Sequence, residues 1–224
     1  MSNSSFKYGL IACLLIASST LWAADKKKVA PKNIPLYQGT QLGIELLQPF
    51  YSLISKQSGL SAKMDVNLRN TYFPTLEIGT TNMDRTSEIG MQAASKGVYA
   101  KIGLNKSLAF LGDKAENLFF AGAHYGFSSY TYDLTSPAWN DSYWGSNPTN
   151  SFLNQSGNAG WFELNVGVRV HVSGPFSLGW TCQYKSTLHL SNNEHGQPAL
   201  IPGYGEYLKP QLGIAAHLYY QLPF

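Results

Sequence analysis

In the stretch WFELNVGVRVHV, Phe162, Leu164, Val166, Val168, Val170 and Val172 take every second position. Glu163, Asn165, Gly167, Arg169 and His171 stand between them. A period of two sends the two sets to opposite faces of an extended strand. Any fold of this chain must therefore give one strand an apolar environment on one side and a polar environment on the other. The pattern recurs. In AKMDVNLRN, Ala62, Met64, Val66 and Leu68 alternate with Lys63, Asp65, Asn67 and Arg69. In the closing QLGIAAHLYYQLPF, Leu212, Ile214, Ala216, Leu218, Tyr220 and Leu222 share a face opposite His217 and Gln221. No segment has a comparable helical period.

Eight such segments are expected, near 36–46, 61–70, 74–82, 97–105, 117–129, 160–172, 176–187 and 210–224. The links between them alternate. Those at 71–73 and 174–175 are short and the one from 105 to 116 is intermediate. The others are long, and the third of these runs from about 130 to 160. One end of the sheet is thus expected to carry tight turns and the other large loops. Closure into a barrel removes the sticky edges that an open sheet of this kind would leave.

Which face points inward follows from a tally. The apolar faces also include Leu42, Ile44, Leu46, Leu76, Ile78, Val98, Ala100, Ile102, Leu104, Tyr125, Phe127, Leu178, Trp180 and Tyr184, with no charge among them. The opposite faces hold Glu45, Asp65, Glu77 and Glu163 with Lys63, Arg69, Lys101, Arg169 and Lys185, joined by His124, His171 and His217. A charge in mid-bilayer costs about 2–4 kcal/mol, so so pure an apolar face suits contact with lipid. Near-equal numbers of acids and bases suit a narrow interior in which each charge needs a partner. Interleaved Gly43, Gly79, Gly103, Gly126, Gly167, Gly179 and Gly213 are expected to leave room for long Lys and Arg side chains. A soluble lipocalin-like carrier would reverse the faces and show a more charged exterior; only 13% of residues are charged here. The fold class is thus an all-β, eight-stranded antiparallel up-and-down transmembrane β-barrel, with a side-chain-filled interior and no open channel. Aromatics near the strand ends are expected to form two girdles. Tyr72, Phe73, Phe176, Tyr220 and Phe224 stand at the turn end, and Tyr130, Tyr132, Trp161 and Phe162 at the loop end.

The N-terminal MSNSSFKYGLIACLLIASSTLWAADKKK has the charged start, short apolar run and small-residue end of a secretory signal peptide over 1–23. Residues 24–35 make a basic periplasmic tail and 36–224 the barrel. Lys26, Lys27, Lys28 and Lys32 lie in that tail, which leaves the barrel near neutral and without a nucleic-acid footprint. With Cys13 removed, Cys182 has no intrachain disulfide partner.

Taken together, these segments resemble an outer-membrane barrel of the OmpA or OmpX type, and the resemblance covers the whole strand region. It implies short periplasmic turns and long extracellular loops. It also implies that Leu218, Tyr220, Leu222 and Phe224 are the signal read by the barrel-assembly machinery during biogenesis. At finer grain, DVNLRNTYFPTLEIG, HYGFSSYTYD, GPFSLGW and IPGYG resemble an uncharacterised family of such barrels in Gram-negative bacteria, a domain of unknown function. That likeness implies a bacterial outer-membrane location, outer-membrane lipid as a partner and no established activity.

A structural role, or surface binding or adhesion through the loops, is the expected function, with no catalysis, cofactor or metal. The rival enzymatic reading rests on HLSNNEHG. It is similar to the His-x-Ser-Asn motif of lipid A deacylases, which would imply Ser191 as nucleophile, His189 as base and Glu194 or Glu206 as the acid. The parity of the seventh strand turns His189 and Ser191 inward unless a bulge intervenes. His124, His171 and His217 share the inward parity on separate strands and are expected in a hydrogen-bonded network rather than a metal site. The long third link, with Trp139, Tyr143, Trp144 and Phe152 among Asn, Ser and Gly, is the expected place for any binding.

Overall fold

The computed structural model describes residues 35–49, 57–87, 90–110, 117–141, 143, 145–147, 150–191, 197–207 and 210–223. The segment expected to be a signal peptide, most of the expected basic tail, Trp144 and Phe224 lie outside the described residues. Among the described residues all elements are strands, apart from residues 47–49, which are helical. They are β1 (Tyr37–Glu45), β2 (Gln57–Leu68), β3 (Tyr72–Thr86), β4 (Gln92–Phe110), β5 (Leu118–Thr135), β6 (Trp139–Asp141), β7 (Gly145–Asn147), β8 (Ser151–Ser173), β9 (Phe176–Leu190), β10 (Leu200–Ile201), β11 (Gly205–Glu206) and β12 (Gln211–Gln221).

Eight of them close into an antiparallel barrel, in the order β1-β12-β9-β8-β5-β4-β3-β2. Each long strand pairs with its sequence neighbour, and the last pairs with the first through Leu42 opposite Tyr220 and Ile44 opposite Leu218. Between β5 and β8 the link contains the hairpin β6–β7, and between β9 and β12 it contains the hairpin β10–β11. The β2–β3 turn places Arg69 and Asn70 at φ 53° and 55°, the two left-handed positions of a type I′ hairpin. Asn67 holds this turn by accepting from the Asn70 amide at 2.9 Å.

The strands are longer than the sequence pattern indicates. β4 extends to Gln92 and Phe110, and β8 begins at Ser151. The reason lies on the outer face. Along β4 the outward residues run Lys96, Val98, Ala100, Ile102, Leu104, Lys106. Beyond the two lysines the apolar alternation fades, but the backbone ladder continues. Much of the expected third loop is therefore strand, its remainder being 136–150, and the β3–β4 link shrinks to 87–91. Where the alternation does hold, it forms a continuous outer belt. Ten residues at about 3.3 Å each, tilted by about 40°, give a belt roughly 25 Å tall between Lys96 and Lys106. Its side chains are exposed: Ile102 at 65%, Ile214 at 66%, Val166 at 56%, Leu164 at 48%.

The girdle expectation needs correction. Phe176 and Tyr220 face outward and meet edge to face, with ring centroids 5.4 Å apart. Tyr72 is outward and carries Lys106 over its ring at 5.9 Å. Phe73, Tyr130, Tyr132 and Trp161, however, are buried. They have inward parity, and sequence proximity to a strand end does not say on which face an aromatic lies.

Candidate functional site

The barrel interior is a polar core framed by aromatic rings. Its charged residues stand opposite one another because the register aligns them. Lys63 pairs with Glu77 across β2–β3, and Glu77 with Lys101 across β3–β4. His124 pairs with Glu163 across β5–β8, and Glu163 with Lys185 across β8–β9. Lys101 Nζ lies 3.1 Å from Glu77 Oε1 and 3.4 Å from Glu163 Oε2. Tyr99 donates to Glu77 at 3.4 Å and accepts from Gln48 at 3.2 Å.

A second chain runs toward the turn end. Asn165 Nδ2 lies 2.9 Å from His124 Nδ1, and Asn105 Oδ1 lies 3.1 Å from His124 Nε2. Asn105 Nδ2 donates to Thr75 at 3.0 Å, and Thr75 donates to Asp65 at 2.8 Å. Arg169 completes the chain, donating to Asp65 and to Gln41. Its guanidinium stacks on Tyr219 at 4.0 Å, with Phe73 and Phe120 at 5.7 and 5.9 Å. These rings screen the ion pair from water, which strengthens it and makes loss of either partner costly.

Of the residues expected inside, Glu45, Lys63, Asp65, Glu77, Lys101, His124, Glu163, Arg169 and His217 are buried. Lys185 is half-buried below the loop end and donates to the Gly203 carbonyl at 2.8 Å. His171 is half-buried near the turn end. Arg69 does not join them. It occupies the exposed β2–β3 turn, where the left-handed backbone ends the alternation that placed it inward. The interior set is then four acids (Glu45, Asp65, Glu77, Glu163) against four bases (Lys63, Lys101, Arg169, Lys185), a neutral sum. Leu218 and Leu222 are half-buried, and Tyr220 is exposed beside Phe176.

Gly213 borders the Lys185 side chain, a Cβ there meeting Lys185 Cε at 3.9 Å, but most of the inward glycines do something else. Gly43, Gly79, Gly103, Gly126, Gly157 and Gly167 each lie opposite a ring: Tyr219, Tyr99, His124, Trp161, Tyr130 and Phe120. In every pair a Cβ on the glycine would come within 3.0 Å of the partner's ring. Each ring lies flat over a cross-strand glycine, an arrangement known to support glycine in sheets.

One convergence was missed from sequence. Glu45, Glu77 and His217 bring their ligand-type atoms within 4.8 Å of one another. Both His217 nitrogens are buried without a hydrogen-bond partner among the described residues, and a pocket of about 160 Å³ adjoins the two glutamates. The Lys101 ammonium already neutralises Glu77 from 3.1 Å. A divalent cation would stand beside it in a set that is balanced without one, so the chemistry fits a hydrated hydrogen-bonding node better than a metal centre.

Above this core the barrel mouth is stoppered. Tyr99, Tyr130, Tyr132, Ala159, Trp161, Ile201 and Tyr204 form one buried cluster. Ile201 and Tyr204 come from the β10–β11 hairpin, which Lys185 ties down and which Glu206 links to Arg85. Gly203, at φ 77°, passes directly over the Tyr99 ring, where no side chain would fit.

The HLSNNEHG segment departs from the parity expected for it. Trp161 pairs with Thr187 but Gly160 pairs with His189, so Leu188 is an inserted residue. This bulge reverses the faces: Leu190 joins the stopper cluster and His189 stands exposed opposite outward Gly160. His189 borders an open groove of about 370 Å³ with Leu188, Tyr204 and Tyr207. Ser191 is engaged with the backbone, its amide donating to Asn158 O at 2.9 Å and its Oγ accepting from the Asn158 amide at 3.0 Å. Glu206 is held by Arg85. Asn192 and Glu194 lie outside the described residues.

A family model described as a domain of unknown function (DUF6048) matches residues 5–224. No curated protein matches the chain.

Proposed function

The chain belongs to the DUF6048 family of domains of unknown function, and from the arrangement of its own residues we propose that it is an integral outer-membrane β-barrel with a structural or surface-binding role and no catalysis. One observation carries this reading. Large apolar side chains project outward around the barrel, in a belt of about 25 Å bounded by Lys96 and Lys106, while Asp65, Glu77, Glu163 and Lys101 are inside. That height matches the apolar band of outer-membrane barrels. The inversion argues against a lipocalin-like carrier, whose apolar faces would line a cavity. By this reading the turns at 69–71 and 174–175 and the basic tail face the periplasm, and the loop end carries any extracellular contact. Leu218, Tyr220, Leu222 and Phe224 serve assembly, and outer-membrane lipid surrounds the belt.

Cell fractionation tests the location. The chain is expected in the outer-membrane fraction and soluble only in detergent; recovery in the soluble periplasm would end this reading. Orientation is tested by single cysteines at Asn140 and Asn70 in intact cells, where only the first is expected to take an impermeant label.

A second reading, a lipid A deacylase-like hydrolase, gains from the bulge that turns His189 outward at the top of the belt. Against it, the Ser191 hydroxyl is engaged by the Asn158 amide. Mass analysis of lipid A incubated with the purified barrel and with Ser191→Ala separates the two readings. Unchanged lipid in both samples is expected.

A further inference from the structure

The outer face is not evenly filled. Across β2 to β5 one row reads Ala62, Ile78, Ala100, Phe127, and the row one pair nearer the loop end reads Leu60, Thr80, Val98, Ser129. The two alanines beside Ile78 and Phe127 leave an almost wholly apolar groove of about 560 Å³. The Thr80 hydroxyl does not interrupt it, since it donates into the wall, to the Gly97 carbonyl at 3.1 Å. One pair higher on β4 stands exposed Lys96, between Asn82 and Thr131. One pair higher again, Asp84 and Asp133 flank the small Ala94, and a second cleft of about 390 Å³ opens there.

Read along β4, the order is apolar groove, cation, paired carboxylates. A phospholipid with an amine headgroup has the complementary order of acyl chain, phosphate, ammonium. The step from Lys96 to Ala94 is roughly 7 Å along the strand, a span that such a headgroup bridges. We infer that this strip is a binding site for a phosphatidylethanolamine-type lipid, with its acyl chain over Ala100, its phosphate on Lys96 and its ammonium between Asp84 and Asp133. The inference rests on the membrane reading above. Charge-assisted hydrogen bonds select the headgroup. A choline ammonium has no N–H to donate to the carboxylates, and a glycerol headgroup has no cation.

The test uses the full barrel in nanodiscs of equimolar phosphatidylethanolamine, phosphatidylcholine and phosphatidylglycerol, with lipids retained after detergent extraction counted by native mass spectrometry. Retention of the ethanolamine lipid is expected to exceed that of the other two by about fivefold, the upper end of what one exposed ion pair between its ammonium and a carboxylate supplies. Asp84→Asn should abolish the preference, whereas Lys96→Glu, which removes a contact to the phosphate common to all three, should reduce retention of all three. Ala100→Phe, which fills the groove, should reduce retention of all three. Ala123→Phe, on the belt but outside the strip, should leave the preference intact. Heat-modifiable gel migration establishes that each variant is folded, and Asp84, being exposed, keeps the test open if Ala100→Phe fails to fold. Equal retention of the three lipids, or a preference unmoved by Asp84→Asn, overturns the inference. A chain that never enters the nanodisc overturns the membrane reading instead.

Discussion

An arginine scan along β4 separates a lipid-facing belt from an ordinary exposed surface. Val98 and Ile102 face outward on the same strand, at 60% and 65% exposure, and neither side chain is in the buried interior. On a water-facing surface Val98→Arg and Ile102→Arg would each change stability by no more than about 0.5 kcal/mol. Within a bilayer they should differ. At roughly 2.5 Å of height per residue, from the rise and tilt of barrel strands, Val98 lies about 5 Å from the level of Lys96, within reach of a snorkelling arginine. Ile102 lies about 15 Å from Lys96 and about 10 Å from Lys106, close to mid-belt. The expected costs are about 0–1 kcal/mol at position 98 and about 2–4 kcal/mol at position 102. Reversible denaturant unfolding from liposomes, followed by tryptophan emission, measures both. Costs at the two positions within 0.5 kcal/mol of each other would refute the belt argument, whatever their absolute size.

Other expectations follow from the interior. Gly126→Ala forces a methyl into the Trp161 ring and should cost about 1–3 kcal/mol, whereas Gly213→Ala, whose Cβ would meet its nearest atom at 3.6 Å, should be close to neutral; equal effects in unfolding titrations would remove the ring-over-glycine account. Lys101→Met leaves Glu77 and Glu163 buried without their shared cation and should cost about 3–5 kcal/mol. Arg85→Ala, at an exposed bridge, should cost under about 1 kcal/mol. Cys182 points outward on β9, so an impermeant maleimide should label it in urea but not in membranes; rapid labelling of the inserted protein would contradict its place in the belt. Deleting Phe224 should lower outer-membrane accumulation, measured by fractionation, before it alters any activity.

Much of this was legible because one physical rule generates it. Period-two alternation states which residues share a face, so Glu77, Lys101, Glu163 and Arg169 could be grouped without knowing how strands pair. What alternation cannot supply is register. That Gly126 lies under Trp161, or that Glu45 and Glu77 converge on His217, depends on which residues stand opposite, and turn geometry sets that. Strand length was underestimated where the outer face turns polar, as from Lys96 back to Gln92, because hydrophobic contrast vanishes there while hydrogen bonding persists. Arg69 kept its alternation on paper up to the residue at which the backbone turned left-handed. The inward parity of His189 held only without a bulge, and the bulge that is present leaves no compositional mark; Leu188 looks like any other strand residue.

That bulge has a consequence for how this segment can change over time. A strand is a parity code, and Leu188 is its one-letter frameshift, with everything downstream to Ser191 read in the opposite sense. Deleting that single leucine would close the bulge with His189 still opposite outward Gly160 and Leu190 still opposite buried Ala159, so both would keep their faces. The bulge therefore absorbs a change of one residue in length at 188, and the residues beyond it keep their faces. Relatives one residue shorter at 188 should still present the residue opposite Gly160 outward and the residue opposite Ala159 inward.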